Sequence, residues 1–222
     1  MQDTIRIATR KSPLALAQCN LVLKMLKNKI NDHTIELVPT VTSGDKVSKN
    51  TFKSNGGKGL FIKELENNLL EGEADVAVHS LKDVPASLDS RFEITTVLDR
   101  ECPQDIMISD KYDCLDAVPK NAKIGTSSPR RMSLLRAISP KFKIVEIRGN
   151  IGTRLEKLKK GECDALILAA AGLHRLNLGE KITQYISESK FIPSAGQGVL
   201  CVEYLKRNKK IKKLFSCLTN HK

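Results

Sequence analysis

The chain has 222 residues, of which 41% are apolar, 28% charged and 4% aromatic, with no tryptophan and a formal net charge of +12. These proportions describe a soluble globular protein of one large or two small domains, its core built from Ile, Leu, Val and Ala. They exclude a membrane-spanning chain, because the longest apolar-rich run, "ALILAAAGL", is too short to cross a bilayer.

In chain order, "TIRIA" reads as a strand, "SPLALAQCNLVLKMLKNKI" as a helix with Ser12 as N-cap and Pro13 as first helical residue, and "TIELVPTV" as a second strand. "SNGGKGLF" places three glycines around Lys58 and matches neither the Walker loop nor the dinucleotide fingerprint, so it reads as a loop able to cover a cleft. "LFIKELENNLLEG" predicts a helix with Phe61, Leu65 and Leu69 on one stripe and Gly72 as terminator. "ADVAVHSL" is an apolar run suited to a buried parallel strand, and "EITTVLD" and "DIMIS" are short strands. The grammar then repeats: strand "AKIG", helix "TSSPRRMSLLRAI", strand "KIVEI", helix "NIGTRLEKLKKG", strand "DALILAAAGL" and, late in the chain, strand "GVLCVEYL". "LKRNKKIKKLF" closes as a solvated helix face with Leu205, Ile211, Leu214 and Phe215 turned inward.

Alternating strands and helices imply an α/β protein with parallel sheets. Turn-formers in "LDRECPQD" and "FIPSAGQG" mark two crossings. Domain 1 is therefore expected from residues 1–98 and 198–218, and domain 2 from 99–197, with a ligand cleft and a hinge between them. The N-terminus shows no apolar core of an export signal, so a cytoplasmic protein is expected. Cys19, Cys102, Cys114, Cys163, Cys201 and Cys217 are scattered, without a C-x-x-C pair or a histidine cluster, so reduced thiols are expected and no metal site.

The arginines carry the chemistry. Only 11 of the 37 basic residues are arginine, yet two fall within "RGNIGTR" beside glycines. Arginine's planar fork grips a carboxylate through two parallel hydrogen bonds, where a solvated surface needs only lysine. Arg10 precedes the Ser12 cap, and Arg130 and Arg131 follow "TSSP", at helix ends that already favour anions. Asp83, beside Lys82 in "HSLKDVP", sits at a strand's C-terminal end, where open parallel sheets bind ligands. A carboxylate there can steady a developing cation or accept a ring N–H. His79 has no nearby nucleophile and reads as structural. The basic clusters lack interleaved aromatics, and no helix-turn-helix or RNA-binding signature accompanies them, so the expected partner is a small anion and not nucleic acid.

Together and in this order, "RIATRKSPLALAQ", "GGKGLFIKELE", "VHSLKDVP", "GTSSPRR", "RGNIGTRLEKL", "AAAGLHRL" and "PSAGQG" resemble the porphobilinogen deaminase (hydroxymethylbilane synthase) family over essentially the whole chain. The resemblance implies two periplasmic-binding-protein-like domains of type II and a third α+β domain that carries a dipyrromethane cofactor on a cysteine. It implies a cytoplasmic, monomeric transferase of porphyrin and haem biosynthesis that joins four porphobilinogen units into a linear tetrapyrrole. Asp83 would be catalytic. Arg10, Ser12, Lys82, Thr126, Ser128, Arg130, Arg131, Arg148, Arg154 and Arg175 would bind carboxylates of substrate and cofactor, and Lys58 and Phe61 would belong to the loop over the cleft. Ser54 stands where the family usually has a lysine. The third domain, with its cysteine anchor, is expected beyond Lys222, leaving these residues without covalent cofactor or turnover. The competing expectation is a non-catalytic two-domain binder of a small polycarboxylate.

Overall fold

A computed structural model describes residues 3–30, 33–40 and 62–216. In chain order the strands are β1 (Asp3–Arg10), β2 (His33–Thr40), β3 (Val76–Ser80), β4 (Phe92–Val97), β5 (Asp105–Ile108), β6 (Lys123–Gly125), β7 (Lys143–Val145), β8 (Ala165–Ala169), β9 (Gln184–Tyr185) and β10 (Leu200–Leu205). The helices are α1 (Pro13–Lys27), α2 (Lys63–Leu70), α3 (Pro129–Ile138), α4 (Ile151–Lys159), α5 (Ala170–Arg175) and α6 (Lys209–Ser216). They divide into two compact units, Met1–Arg100 with Val199–Lys222, and Glu101–Gly198.

The first unit is a five-stranded sheet in the order β2-β1-β3-β10-β4. β1 runs parallel to β2 and β3, while β10 is antiparallel to both β3 and β4. Ser12 caps α1, its hydroxyl accepting from Ala15 N at 3.3 Å. The helix then buries Cys19, Val22 and Leu26 against Ile5, Ile7 and Val76. On α6 only every fourth residue is sealed in: Ile211 and Phe215 are buried, Leu214 packs on the same cluster, and Phe215 stacks on Tyr204 at 6.4 Å. Leu205 does not share that face; it ends β10 and packs with Phe92 in a second cluster. Leu65 and Leu69 are buried as the helical stripe predicts, whereas Phe61, Lys58 and Ser54 lie outside the described residues.

The second unit repeats the plan with the order β7-β6-β8-β5-β9. β6 is parallel to β7 and β8, and β5 is antiparallel to β8 and β9. Both faces of this sheet are covered, by Met107, Ile124, Leu135 and Phe191 on one side and Ile106, Leu166, Leu168 and Leu173 on the other. Double coverage is why "DIMI" and "ALIL" read as unbroken apolar runs. Gly125 is required by closeness: a Cβ there would stand 2.7 Å from Leu166 Cδ2 and 2.8 Å from Ile147 Cγ1.

Two expectations need correcting. The sheets are mixed, because β10 and β5 enter antiparallel, and strand direction leaves no mark in a local apolar run. "DALILAAAGL" is a strand only to Ala169, since its partner β5 begins at Asp105 opposite that residue. With the ladder spent, the chain turns into α5, whose small residues Ala170, Ala171 and Gly172 are all buried.

Candidate functional site

In the first unit, β1 and β3 are parallel neighbours, so their C-terminal ends open on one sheet edge. Arg10 ends β1, Ser12 caps the next helix, and β3 runs into a single 3-10 turn, Leu81–Asp83. Gln18, buried on α1, donates to Ser80 Oγ at 2.8 Å and ties the helix to that end. The result is a cavity of about 70 Å³ whose polar lining is Arg10, Ser12, Gln18, His79, Ser80 and Asp83. Asp83 is exposed at its rim, and Lys82 is half-buried in the same turn. His79 is buried, with Nε2 2.9 Å from Glu203 Oε2 on β10. That internal pair fits the structural role read for it.

The second unit gathers its candidates at two helix N-termini that follow the parallel strands β6 and β7. Ser128 caps α3 and Asn150 caps α4, the latter accepting from Thr153 N at 2.9 Å. Thr126 is buried, its hydroxyl accepting from Ser128 N at 3.2 Å. Gly149, at φ +117°, turns the chain between Arg148 and the Asn150 cap, a conformation that favours glycine. Arg148 pairs with Glu146 at 2.6 Å, and Arg154 Nε donates to the Gly149 carbonyl at 2.7 Å. Burial first, and then the positive charges of Arg131 and Arg148, lower Arg154 from 12.5 to about 10. Two further guanidiniums thus bear on Arg154 beside positive helix ends, an arrangement that an incoming carboxylate would relieve.

Two arginines are placed differently from the other carboxylate-binding candidates. Arg131 is buried and turned inward, its Nη2 2.7 Å from Asp105 Oδ1, and Arg130 Nη2 reaches the other oxygen at 2.6 Å. Arg175 ends α5 and donates to the Gly198 carbonyl at 2.6 Å. Sequence reasoning missed Asp105 and Gln197. Asp105 begins an apolar strand, and the only signal was a charged residue opening a run otherwise buried on both faces. Another cavity, about 280 Å³, lies elsewhere in this unit against Ile138, Tyr185 and Lys190, and touches none of these residues.

A family model described as "Porphobilinogen deaminase, dipyromethane cofactor binding domain" matches residues 5–213. The chain belongs to the porphobilinogen deaminase family. Family members named porphobilinogen deaminase include one from Legionella pneumophila (strain Paris), 52% identical over 199 residues, and one from Stenotrophomonas maltophilia (strain R551-3), 47% identical over 216. The alignments cover 90% and 97% of this chain, but 64% and 71% of the relatives, so the chain spans about two thirds of their length. Among solved structures, a probable amino-acid ABC transporter extracellular-binding protein from Bacillus subtilis matches with TM-score 0.60 and 13% identity, over 98% of this chain and 91% of its own. A periplasmic substrate-binding protein from Coxiella burnetii matches with TM-score 0.58 and 16% identity, over 98% and 92%. At those identities the likeness is one of fold, the periplasmic-binding-protein type II fold expected for this deaminase-family chain.

Proposed function

We propose that this chain binds porphobilinogen and the oligopyrrole made from it, and supplies the carboxylate that drives hydroxymethylbilane synthesis in the cytoplasm. The supporting observation is the half-buried Arg154, bonded to the Gly149 carbonyl and under the positive charges of Arg131 and Arg148, beside two capped helix ends. Porphobilinogen carries an acetate and a propionate, so a growing chain of it is a ladder of carboxylates. Forked donors on rigid helix ends suit that ladder better than mobile lysines. Arg10 and Ser12 in the first unit, and Ser128, Arg130, Arg148 and Arg154 in the second, are the groups that would hold it. Thr126, Arg131 and Arg175 contribute from behind, and Lys82 flanks the carboxylate of Asp83.

Asp83 accepts the pyrrole N–H. When the aminomethyl C–N bond breaks, ammonia leaves and positive charge spreads over the ring, next to that carboxylate. A pyrrole α-carbon of the growing chain then forms the new C–C bond and loses its proton. The arginine set fits the carboxylates of a dipyrromethane, which, when bound, supplies the first such α-carbon. Among the described cysteines, Cys19, Cys163 and Cys201 are buried, and burial pushes their thiols up to about 11, 11 and 12, which suits inert core residues.

Calorimetry with porphobilinogen tests the binding reading, and absence of binding would overturn it. Asp83→Asn should keep affinity within about threefold, since the exchange is nearly isosteric. In the chain extended by the last third of the Legionella relative, the same variant should release no ammonia from porphobilinogen. Release at the unsubstituted rate would remove Asp83 from the catalytic role, and no release by the unsubstituted extended chain would return it to the class of non-catalytic polycarboxylate binders.

A further inference from the structure

Adjacent residues on a helix point about 100° apart, yet Arg130 and Arg131 converge on one carboxylate. Asp105 is the first residue of β5, paired with Ala169 and accepting Ile186 N at its main-chain oxygen at 2.9 Å, so its backbone is fixed on both sides. Its side chain is fully buried. Oδ1 accepts Arg131 Nε at 3.0 Å, Arg131 Nη2 at 2.7 Å and Gln197 Nε2 at 3.0 Å, and Oδ2 accepts Arg130 Nη2 at 2.6 Å. Gln197, from "PSAGQG", also donates to the Pro103 carbonyl at 2.6 Å. Three separate stretches of sequence therefore meet on one buried anion.

We infer that Asp105 is a positioning residue that sorts the two arginines, holding Arg131 inward as a fixed charge and turning Arg130 outward as the one that meets the ligand. Arg131 keeps 8% of its side chain exposed and gives Nη1 to the Ile167 carbonyl at 3.2 Å. Arg130 keeps 27% exposed, with Nη1 on the Ile192 carbonyl at 2.5 Å and its guanidinium carbon 5.9 Å from the centre of the Phe191 ring. Two guanidiniums on one carboxylate leave a single net positive charge in the first turn of α3, enough to attract an anion without splaying the pair. Arg131 is one of the two cations that bear on Arg154, so the same carboxylate also sets how that cluster is spaced.

This inference rests on the proposed binding of a polycarboxylate, and the sign of one substitution separates it from a purely electrostatic role. Asp105→Asn raises the local charge by one. If Asp105 only tempered charge, porphobilinogen would bind more tightly; if it orients the arginines, calorimetry should show binding weakened by about tenfold or more, the scale of a lost charge-assisted hydrogen bond. Unchanged or tighter binding overturns the inference. Arginine modification by phenylglyoxal, read residue by residue by mass spectrometry, decides the matter without the ligand. In the unsubstituted chain Arg131 should react about tenfold more slowly than Arg130, in keeping with the buried hydrogen bonds that opening it would break. In Asp105→Asn the two rates should converge; persistent protection of Arg131 overturns the inference even if binding falls. If the unsubstituted chain binds no porphobilinogen, the proposed function fails while this readout still decides the role of Asp105. Met107→Ala, a core truncation in the same strand, should lower Tm and leave the ratio of the two rates unchanged. Should Asp105→Asn not fold, Gln197→Met removes one of the four hydrogen bonds and should move the ratio in the same direction, and an unmoved ratio again overturns the inference.

Discussion

Arg154 shows why residue type matters at this site more than charge. Its guanidinium tolerates partial burial near two other cations because it starts from so high a pKa that a fall to about 10 still leaves it charged at neutral pH. A lysine starts near 10.4, and the same surroundings would bring it closer to neutrality. Arg154→Lys should therefore weaken porphobilinogen binding by about tenfold at pH 7, through loss of the fork, and further as pH rises toward 9 and the ammonium discharges. Arg148→Lys, half-buried and paired with Glu146, should show the loss at pH 7 without the steep alkaline decline. Lys209→Arg, on an exposed position of α6, should change neither. Affinity measured across pH 6–9 checks all three; an Arg154→Lys profile parallel to that of the unsubstituted chain would contradict the crowding of cations.

Between elements, Asp164 stitches β6 to the start of β8. Its Oδ2 accepts Lys123 N at 2.8 Å, its own N donates back to the Lys123 carbonyl at 2.8 Å, and Lys111 Nζ reaches Oδ1 at 2.5 Å. The Lys111 hydrogen bond chiefly, with the Lys123 amide behind it, lowers this carboxyl below 3.8. A carboxyl with a lowered folded value contributes stability that is complete above its unfolded value, near 3.9, and is lost as pH falls through the folded one. Asp164→Asn should lower Tm at pH 7 by roughly 3 °C, because the contact is mostly solvent-screened. The deficit should shrink as pH falls through the lowered range of this carboxyl. Thermal melts of both proteins at pH 7 and pH 2.5 test this, and an equal deficit at both would mean that shape, not charge, carries the contact.

On the scale of the whole molecule, the two units differ in how they depend on chain continuity. Every strand of the second unit lies within Glu101–Gly198, in one uninterrupted stretch. The first unit needs a strand from the far end of the chain, because β10 sits between β3 and β4 and pairs with both. Ending the chain at residue 198 removes Val202 and Tyr204 from the core and strips β4 of its partner. The shortened chain should lose cooperative unfolding of the first unit while residues 101–198 stay protected. Hydrogen exchange followed by mass spectrometry would resolve the two, and protection of Phe92–Val97 equal to that in the intact chain would refute the dependence.

What is local was legible in the sequence. Ser12 and Ser128 before proline mark helix starts because capping involves neighbours three residues away, and "DIMI" announces a doubly covered strand because burial of both faces removes alternation. The motif order that identifies the family was likewise complete in the linear string. Three things were decided only by tertiary structure. Strand direction was one, since an apolar run looks the same whichever way its neighbour travels. The end of β8 was another, set by where β5 begins 64 residues earlier. The third was the division of labour among the arginines: a guanidinium carries the same charge wherever it points. Both Arg130 and Arg131 bond Asp105, yet Arg131 is buried while Arg130 stays partly exposed, and that split depends on a carboxylate arriving from a distant strand.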